Sequence, residues 1–266
     1  MDYETLLVRR EGRVAIIAMN RPKMLNAMSV TMTRELNQAF DAAAGDDEVT
    51  AILLTGEGRA FSAGADVGGN PAELPKDESG RLDLGAPLEE SYNPLIRSMR
   101  ATPKPVVAAV NGLAAGAGAG VALAADLTVA ARSAYFLQAF VNIGLMPDAG
   151  CTYTLSQAVG PQRAMGMAML GEKISAEQAQ AWGLIWDVMD DENFMESAMA
   201  LVTRLSLGPL KALAHIKRAI HAGETGTMDQ QLEMERDLQR ECGQTQDFME
   251  GAMAFVQKRA PKFTGR

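Results

Sequence analysis

Cysteine and histidine are scarce, with two of each in 266 residues. Cys151 and Cys242 lie far apart, so the chain carries no disulfide framework and no metal-ligand spacing. His215 and His221 are six positions apart, off one helical face, and no H-E-x-x-H is present; both read as surface or packing residues, and no metal site is expected. Positive charge is also short: 25 Lys and Arg face 33 Asp and Glu, a net charge of -8. A general nucleic-acid partner is therefore not expected, although a few local cations can still hold phosphates. Long apolar runs are missing too. The longest, from Leu113 to Ala125, is mostly Ala and Gly and falls short of the ~20 residues a membrane span needs. The opening residues MDYETLLVRREGR are charged and contain no apolar core of a secretory signal. The expectation is a cytoplasmic protein with no membrane partner.

What is present is patterned. Hydrophobic residues make up 47% of the chain, enough for a sizeable core. Val14, Ile16 and Ala18 read as a strand after a turn at Glu11-Gly12. Residues 29–44 read as a helix: Met32, Leu36, Ala39, Phe40 and Ala43 fall on one stripe, Ser29 caps it and Gly45 ends it. Residues 51–55 and 106–110 read as buried strands, and 127–130 as another. Between them, 68–87 is rich in Gly, Pro and charge and reads as a mobile loop; the next helix turns Leu88, Tyr92, Leu95, Ile96 and Met99 inward. From about Pro161 the pattern is helical. Ser175 to Gln178 reads as a capping box, and helices are expected near 192–206, 209–221, 228–241 and 247–258. Strands alternating with helices imply an α/β fold with helices flanking parallel sheet.

Several motifs fail on inspection. The run Gly116 to Gly120 lacks the third glycine of a dinucleotide fingerprint, because position 121 is Val. Gly166 and Gly171 have phosphate-loop spacing, but Glu172 stands where the lysine is required. No G-x-S-x-G elbow supplies a serine nucleophile. Two other segments stand out: Arg59-Ala-Phe-Ser-Ala-Gly-Ala-Asp66 and Val110-Asn-Gly-Leu-Ala-Ala-Gly-Ala-Gly-Ala-Gly120, each after a strand. Both put small residues where backbone must approach something closely. The second also offers free N–H groups at a helix start, where negative charge is favoured. Two such groups converging on one point make an oxyanion hole; tight helix–sheet packing is the plainer alternative.

These two segments, with Asn20-Arg-Pro-Lys-Met-Leu-Asn-Ala27 upstream, resemble the enoyl-CoA hydratase/isomerase (crotonase) superfamily nearly end to end. The resemblance implies an α/β fold, a crotonase-like spiral of ββα units over residues 1–200, and a helical C-terminal region over 201–266 used for trimerisation. It implies an acyl-CoA substrate, with coenzyme A as part of that substrate and no permanently bound cofactor. A homotrimer or a dimer of trimers is expected. By position, the thioester oxygen falls to the backbone N–H groups of Ala65 and Ala117. The adenine falls against Ala63, Gly64 and Asp66, with Lys23 and Met24 beside it; Asp66 is expected to fix its loop. Arg21, Lys23 and Arg59 are candidates for the CoA phosphates, with plain solvation as the alternative.

Hydration in this family needs two carboxylates, and the corresponding positions hold Gly120 and Phe140. Asp148, in Ile143-Gly-Leu-Met-Pro-Asp-Ala-Gly150, matches instead the proton-shuttling Asp of family isomerases. Flanked by Leu145, Met146, Pro147 and Phe140, it is expected in an apolar pocket that raises its pKa. Residues 142–148, 164–173, 181–186 and 257–266 are similar to the ring-epoxide isomerase branch, which acts in phenylacetate degradation. Cys151 departs from that branch, standing where glycine is usual, and so does the run Thr152-Tyr153-Thr154. The expected reaction is acyl-CoA isomerisation through Asp148. Hydration by an unexpected residue, or a non-catalytic CoA-binding subunit, are the alternatives.

Overall fold

The computed structural model describes residues 2–66, 68 and 75–265. The chain opens with β1 (Leu6–Glu11) and β2 (Val14–Met19), an antiparallel hairpin pivoting on Gly12 in the left-handed region. Helix α1 (Val30–Gly45) follows. Ser29 caps it by accepting from Met32 N, and the predicted stripe from Met32 to Ala43 is buried.

Three turns of chain then repeat one pattern. Strand β3 (Ala51–Gly56) enters a first sheet and β4 (Ala60–Ser62) enters a second. Helix α2 (Gly85–Pro87) runs through a π-helical turn (Leu88–Tyr92) into α3 (Asn93–Ala101). Next, β5 (Val106–Val110) joins the first sheet and β6 (Leu113–Ala115) the second, before α4 (Ala117–Leu123). Then β7 (Leu127–Ala131) and β8 (Tyr135–Leu137) do the same, followed by a 3-10 turn (Ala139–Ile143) and α5 (Cys151–Leu170). Strand β9 (Lys173–Ser175), α6 (Ala176–Ala181) and β10 (Asp187–Met189) close the sheets. The orders are β1-β2-β3-β5-β7-β10 and β4-β6-β8-β9. Each ββα turn thus adds one strand to each sheet, which is the spiral expected from the sequence.

The interior strands β2, β3 and β5 are buried at every residue. Parallel strands covered on both faces read as continuous apolar runs, and these do. The edge strand β1 keeps Arg9, Arg10 and Glu11 exposed, which discourages pairing with another sheet. Four helices follow: α7 (Phe194–Ser206), α8 (Leu210–Gly223), α9 (Met228–Gly243) and α10 (Gln246–Val256). Lys217 of α8 ties this region to the first sheet: its Nζ donates to Met99 O (2.7 Å) and Asp126 Oδ2 (3.0 Å), and Asp126 also accepts from Val106 N. Among the described residues no helix is long and apolar enough to cross a membrane.

Some expectations change. Helix begins at Cys151, not Pro161, and breaks at Gly160, whose φ of 76° precedes Pro161. At Ser175 only the serine half of the capping box forms; the reciprocal box is Thr227 with Gln230. Of the stretch 68–87, residues 69–74 lie outside the described residues. The rest is ordered around a turn: Lys76 bridges Leu82, Asp77 accepts from Ser79 and Arg81, and α2 starts at Gly85.

Candidate active site

Residues 20–28 fold back beside residues 62–66, and side chains inside the turn hold them there. Asn26, fully buried with φ of 55°, accepts from Arg21 N and donates to Glu57 O and Ala60 O. Ser62 Oγ donates to Asn26 O and accepts from Gly64 N. Ladder bonds run Ala63 N to Leu25 O, Met28 N to Gly64 O, and Asp66 N to Met28 O. Arg21 is spent on this loop: its guanidinium meets Asp66 at 2.9 Å and Ala27 O. Asp66 is thus tied to Arg21 within this segment, and Arg21 is committed before any phosphate arrives. Lys23 and Met24 sit exposed on the 3-10 turn Pro22–Met24 at the rim.

The second segment packs directly on the first. A Cβ on Gly64 would lie 2.8 Å from Ala115 O and 3.5 Å from Ala117 N, so only glycine permits this approach. Gly116, at φ 52°, turns the chain from β6 into α4. Gly64 O accepts from Met28 N and Asp66 N donates to Met28 O, which leaves the intervening Ala65 N–H outside the ladder. Among the described residues neither Ala65 N–H nor Ala117 N–H meets a carbonyl. Two unspent donors thus stand on adjoining strands of backbone.

Asp148 lies at the end of a turn that leads into α5. Ala149 (φ 48°) and Gly150 (φ 77°) are both left-handed, and Cys151 N closes the turn on Asp148 O at 2.9 Å. Asp148 Oδ1 is buried with no hydrogen-bond partner among the described residues. Burial pushes its carboxyl up to about 6. The expected walls need one correction: Leu145 and Met146 are exposed, while Phe140, Pro147, Ala149 and Cys151 are buried. The loop Asn142–Met146 bulges outward because Gly144 takes a left-handed φ and Leu145 N returns to Phe140 O.

Gly120 and Phe140 complete the surroundings. The Phe140 ring lies 3.7 Å from where Gly116 would carry a Cβ. A Cβ on Gly120 would lie 2.8 Å from both Ala149 O and Ala149 Cβ, and 3.0 Å from Cys151 Sγ. The place where a side chain at 120 would emerge is already filled.

Tyr92 was legible only as an inward helix residue. It shares a helical face with Ile96, and Ile96 Cγ2 packs 3.5 Å from the Cβ position of Gly150. Burial, reinforced by the charges of Asp148 and Asp66, raises its phenol above the ordinary range. No spacing signal in the sequence links position 92 to 148. Elsewhere, a cavity of about 960 Å³ between α8, α9 and α10, lined by Ile216, Leu232, Phe248 and Phe263, contains none of these residues.

A pH dependence of stability follows from Asp148. Its folded-state pKa stands above the unfolded value, so the native state binds the proton more tightly. Stability is lost as pH rises from about 4 through about 6. Asp148→Asn is therefore expected to melt higher than the parent at pH 8, by ~1–2 kcal/mol after solvent screening. The gain should vanish below about pH 4; thermal melts at both pH values check it.

The sequence model of the family described as enoyl-CoA hydratase/isomerase matches residues 9–266. The chain belongs to the enoyl-CoA hydratase/isomerase family. A relative from Rhodobacter capsulatus, named a probable enoyl-CoA hydratase, is 47% identical over all of both chains. The 1,2-epoxyphenylacetyl-CoA isomerase of Escherichia coli is 46% identical over 99% of each. An enoyl-CoA hydratase structure from Geobacillus kaustophilus superposes with a TM-score of 0.90 at 35% identity, covering 100% of both chains. The fold is thus the crotonase fold, and hydratases and isomerases both stand among the relatives of this enoyl-CoA hydratase/isomerase family member.

Proposed function

We propose that this enzyme isomerises acyl-CoA thioesters: it shifts 3-enoyl-CoA double bonds and rearranges 2-(1,2-epoxy-1,2-dihydrophenyl)acetyl-CoA to the oxepin-CoA. One observation carries the reading: Asp148 has a buried carboxylate oxygen with no partner among the described residues, while Gly120 and Phe140, at the two positions hydration requires, have side chains that move no proton. The sequence similarity to the Escherichia coli isomerase supports the epoxide substrate.

In this reading the thioester oxygen sits between Ala65 N–H and Ala117 N–H. Removing a proton next to the carbonyl builds charge on that oxygen, and preorganised donors stabilise the enolate more than the substrate. Asp148 takes the proton from C2 and returns it to C4. Its pKa near 6 suits both directions of transfer close to neutral pH. An epoxide and its oxepin have the same atoms, so neither reaction consumes water. The CoA adenine rests against Ala63, Gly64 and Asp66, near Lys23 and Met24.

Incubation of purified protein with the ring-epoxide thioester and with 3-hexenoyl-CoA tests this. Oxepin-CoA and 2-hexenoyl-CoA are the expected products by mass spectrometry and NMR. Conversion of neither, with crotonyl-CoA hydrated at a normal rate, contradicts the reading and favours the hydratase alternative that the Rhodobacter relative's name suggests.

The filled space at position 120 makes a further expectation. Gly120→Glu should not produce hydration of crotonyl-CoA. Its Cβ must displace Ala149 backbone, at an overpacking cost of ~1–3 kcal/mol. A lower melting temperature and no 3-hydroxybutyryl-CoA are the expected results.

A further inference from the structure

Cys151, the residue that departs from the glycine usual in the isomerase branch, is fully buried at the first position of α5. Its Sγ lies 3.9 Å from Gly116 O, within reach of an S–H···O contact. The same carbonyl accepts Gly120 N–H at 3.1 Å. Gly116 C=O and Ala117 N–H are the two ends of one planar, resonance-coupled peptide unit. Drawing electron density toward the oxygen makes the N–H a stronger donor, by ~10–30% per bond in hydrogen-bonded chains. The thiol is available for this at all working pH values. Burial pushes it up to about 12, and the nearby Asp148 charge acts in the same direction. The Gln138 side chain abuts the same sulfur. It is 1% exposed, and its amide meets no nitrogen or oxygen partner among the described residues. The sulfur is thereby confined between Gln138, the Gly120 backbone and the Gly116 carbonyl.

We propose that Cys151 is a positioning residue for the thioester oxygen: its S–H holds and polarises the Gly116–Ala117 peptide, and so strengthens Ala117 N–H as a donor. This rests on the thioester placement given under the proposed function. Asp148 moves the proton, and Cys151 sets how strongly the resulting enolate is held. A glycine at 151 leaves the Gly116 carbonyl with the Gly120 N–H alone. The departure from the branch pattern is then an adjustment of the oxyanion donor rather than of the acyl pocket.

The test uses Cys151→Ala, which removes the sulfur and the donor, and Cys151→Ser, which keeps a donor on a side chain of similar shape. The probe is cinnamoyl-CoA, whose conjugated thioester absorbs further to the red when its carbonyl oxygen is polarised. The parent is expected to red-shift the probe, Cys151→Ala to lose about half of that shift, and Cys151→Ser to keep it. Turnover of 3-hexenoyl-CoA should follow: kcat about three- to tenfold lower in Cys151→Ala, KM within about twofold, and recovery in Cys151→Ser. A Cys151→Ala protein with the parent's shift and kcat overturns the inference. So does a Cys151→Ser protein that behaves like Cys151→Ala, since packing alone would explain it. A parent protein that binds cinnamoyl-CoA without any red shift overturns the thioester placement, and the inference with it.

Discussion

Asp148→Asn is expected to lower kcat for the 3-hexenoyl-CoA double-bond shift by ~10²–10⁴-fold, the usual worth of a positioned acid–base group. Asparagine keeps the shape and hydrogen-bonding reach of aspartate but accepts no proton. The loss should fall on kcat, with KM within about threefold, because in the proposed reading backbone groups and the 21–28 and 62–66 segments, and not Asp148, hold the thioester and nucleotide. The pH profile is a second readout. Asp148 must be ionised to take the first proton, and burial sets its pKa at about 6. kcat/KM of the parent should fall as pH drops through about 6 and level off above it. Stopped-time assays by liquid chromatography between pH 5 and 8 measure both effects. A variant with a tenth or more of the parent kcat removes Asp148 from the mechanism.

Ala117→Pro should cost a comparable amount for a different reason. Ala117 is the first residue of α4, and proline at the first helical position keeps the helix while deleting one N–H. The preceding residue, Gly116, has φ 52° and ψ -130°, outside the helical region that a following proline disfavours. The fold should therefore survive the change. The missing donor is worth ~10²–10³ in kcat, or ~2.7–4 kcal/mol, if Ala117 N–H holds the developing oxyanion. Ala117→Ser, which keeps the N–H, is the control and should retain kcat within about tenfold. Circular dichroism and kcat on the two variants decide between a lost donor and a lost fold.

The elements that were legible in the sequence are those long enough to show a period. The Met32–Ala43 stripe, the buried runs at 51–55 and 106–110, and α7 through α10 all lie within two or three residues of expectation. The second sheet was not legible, because β4, β6, β8 and β9 have three residues each and three residues carry no alternation. The early start of α5 was hidden by Gly150, Gly160 and Pro161, which read as punctuation but only cap and bend it. At the site, glycine-rich motifs pointed to close backbone approach, and Gly64 against Ala115 and Ala117 is such an approach. The positions of Tyr92 and Cys151 were not legible, since their neighbours come from other turns of the spiral. The flanks of Asp148 point to burial of its carboxyl, but of those flanks Leu145 and Met146 turn outward and only Phe140 and Pro147 are buried.

The central claim is that this scaffold moves a proton and adds no water. Its most direct measurement is NMR of trans-3-hexenoyl-CoA incubated with the enzyme in deuterated water. The expected product is 2-hexenoyl-CoA, with no accumulation of 3-hydroxyhexanoyl-CoA, and no product from Asp148→Asn. Accumulation of 3-hydroxyhexanoyl-CoA at a rate matching double-bond transfer, persisting in Asp148→Asn, would contradict it.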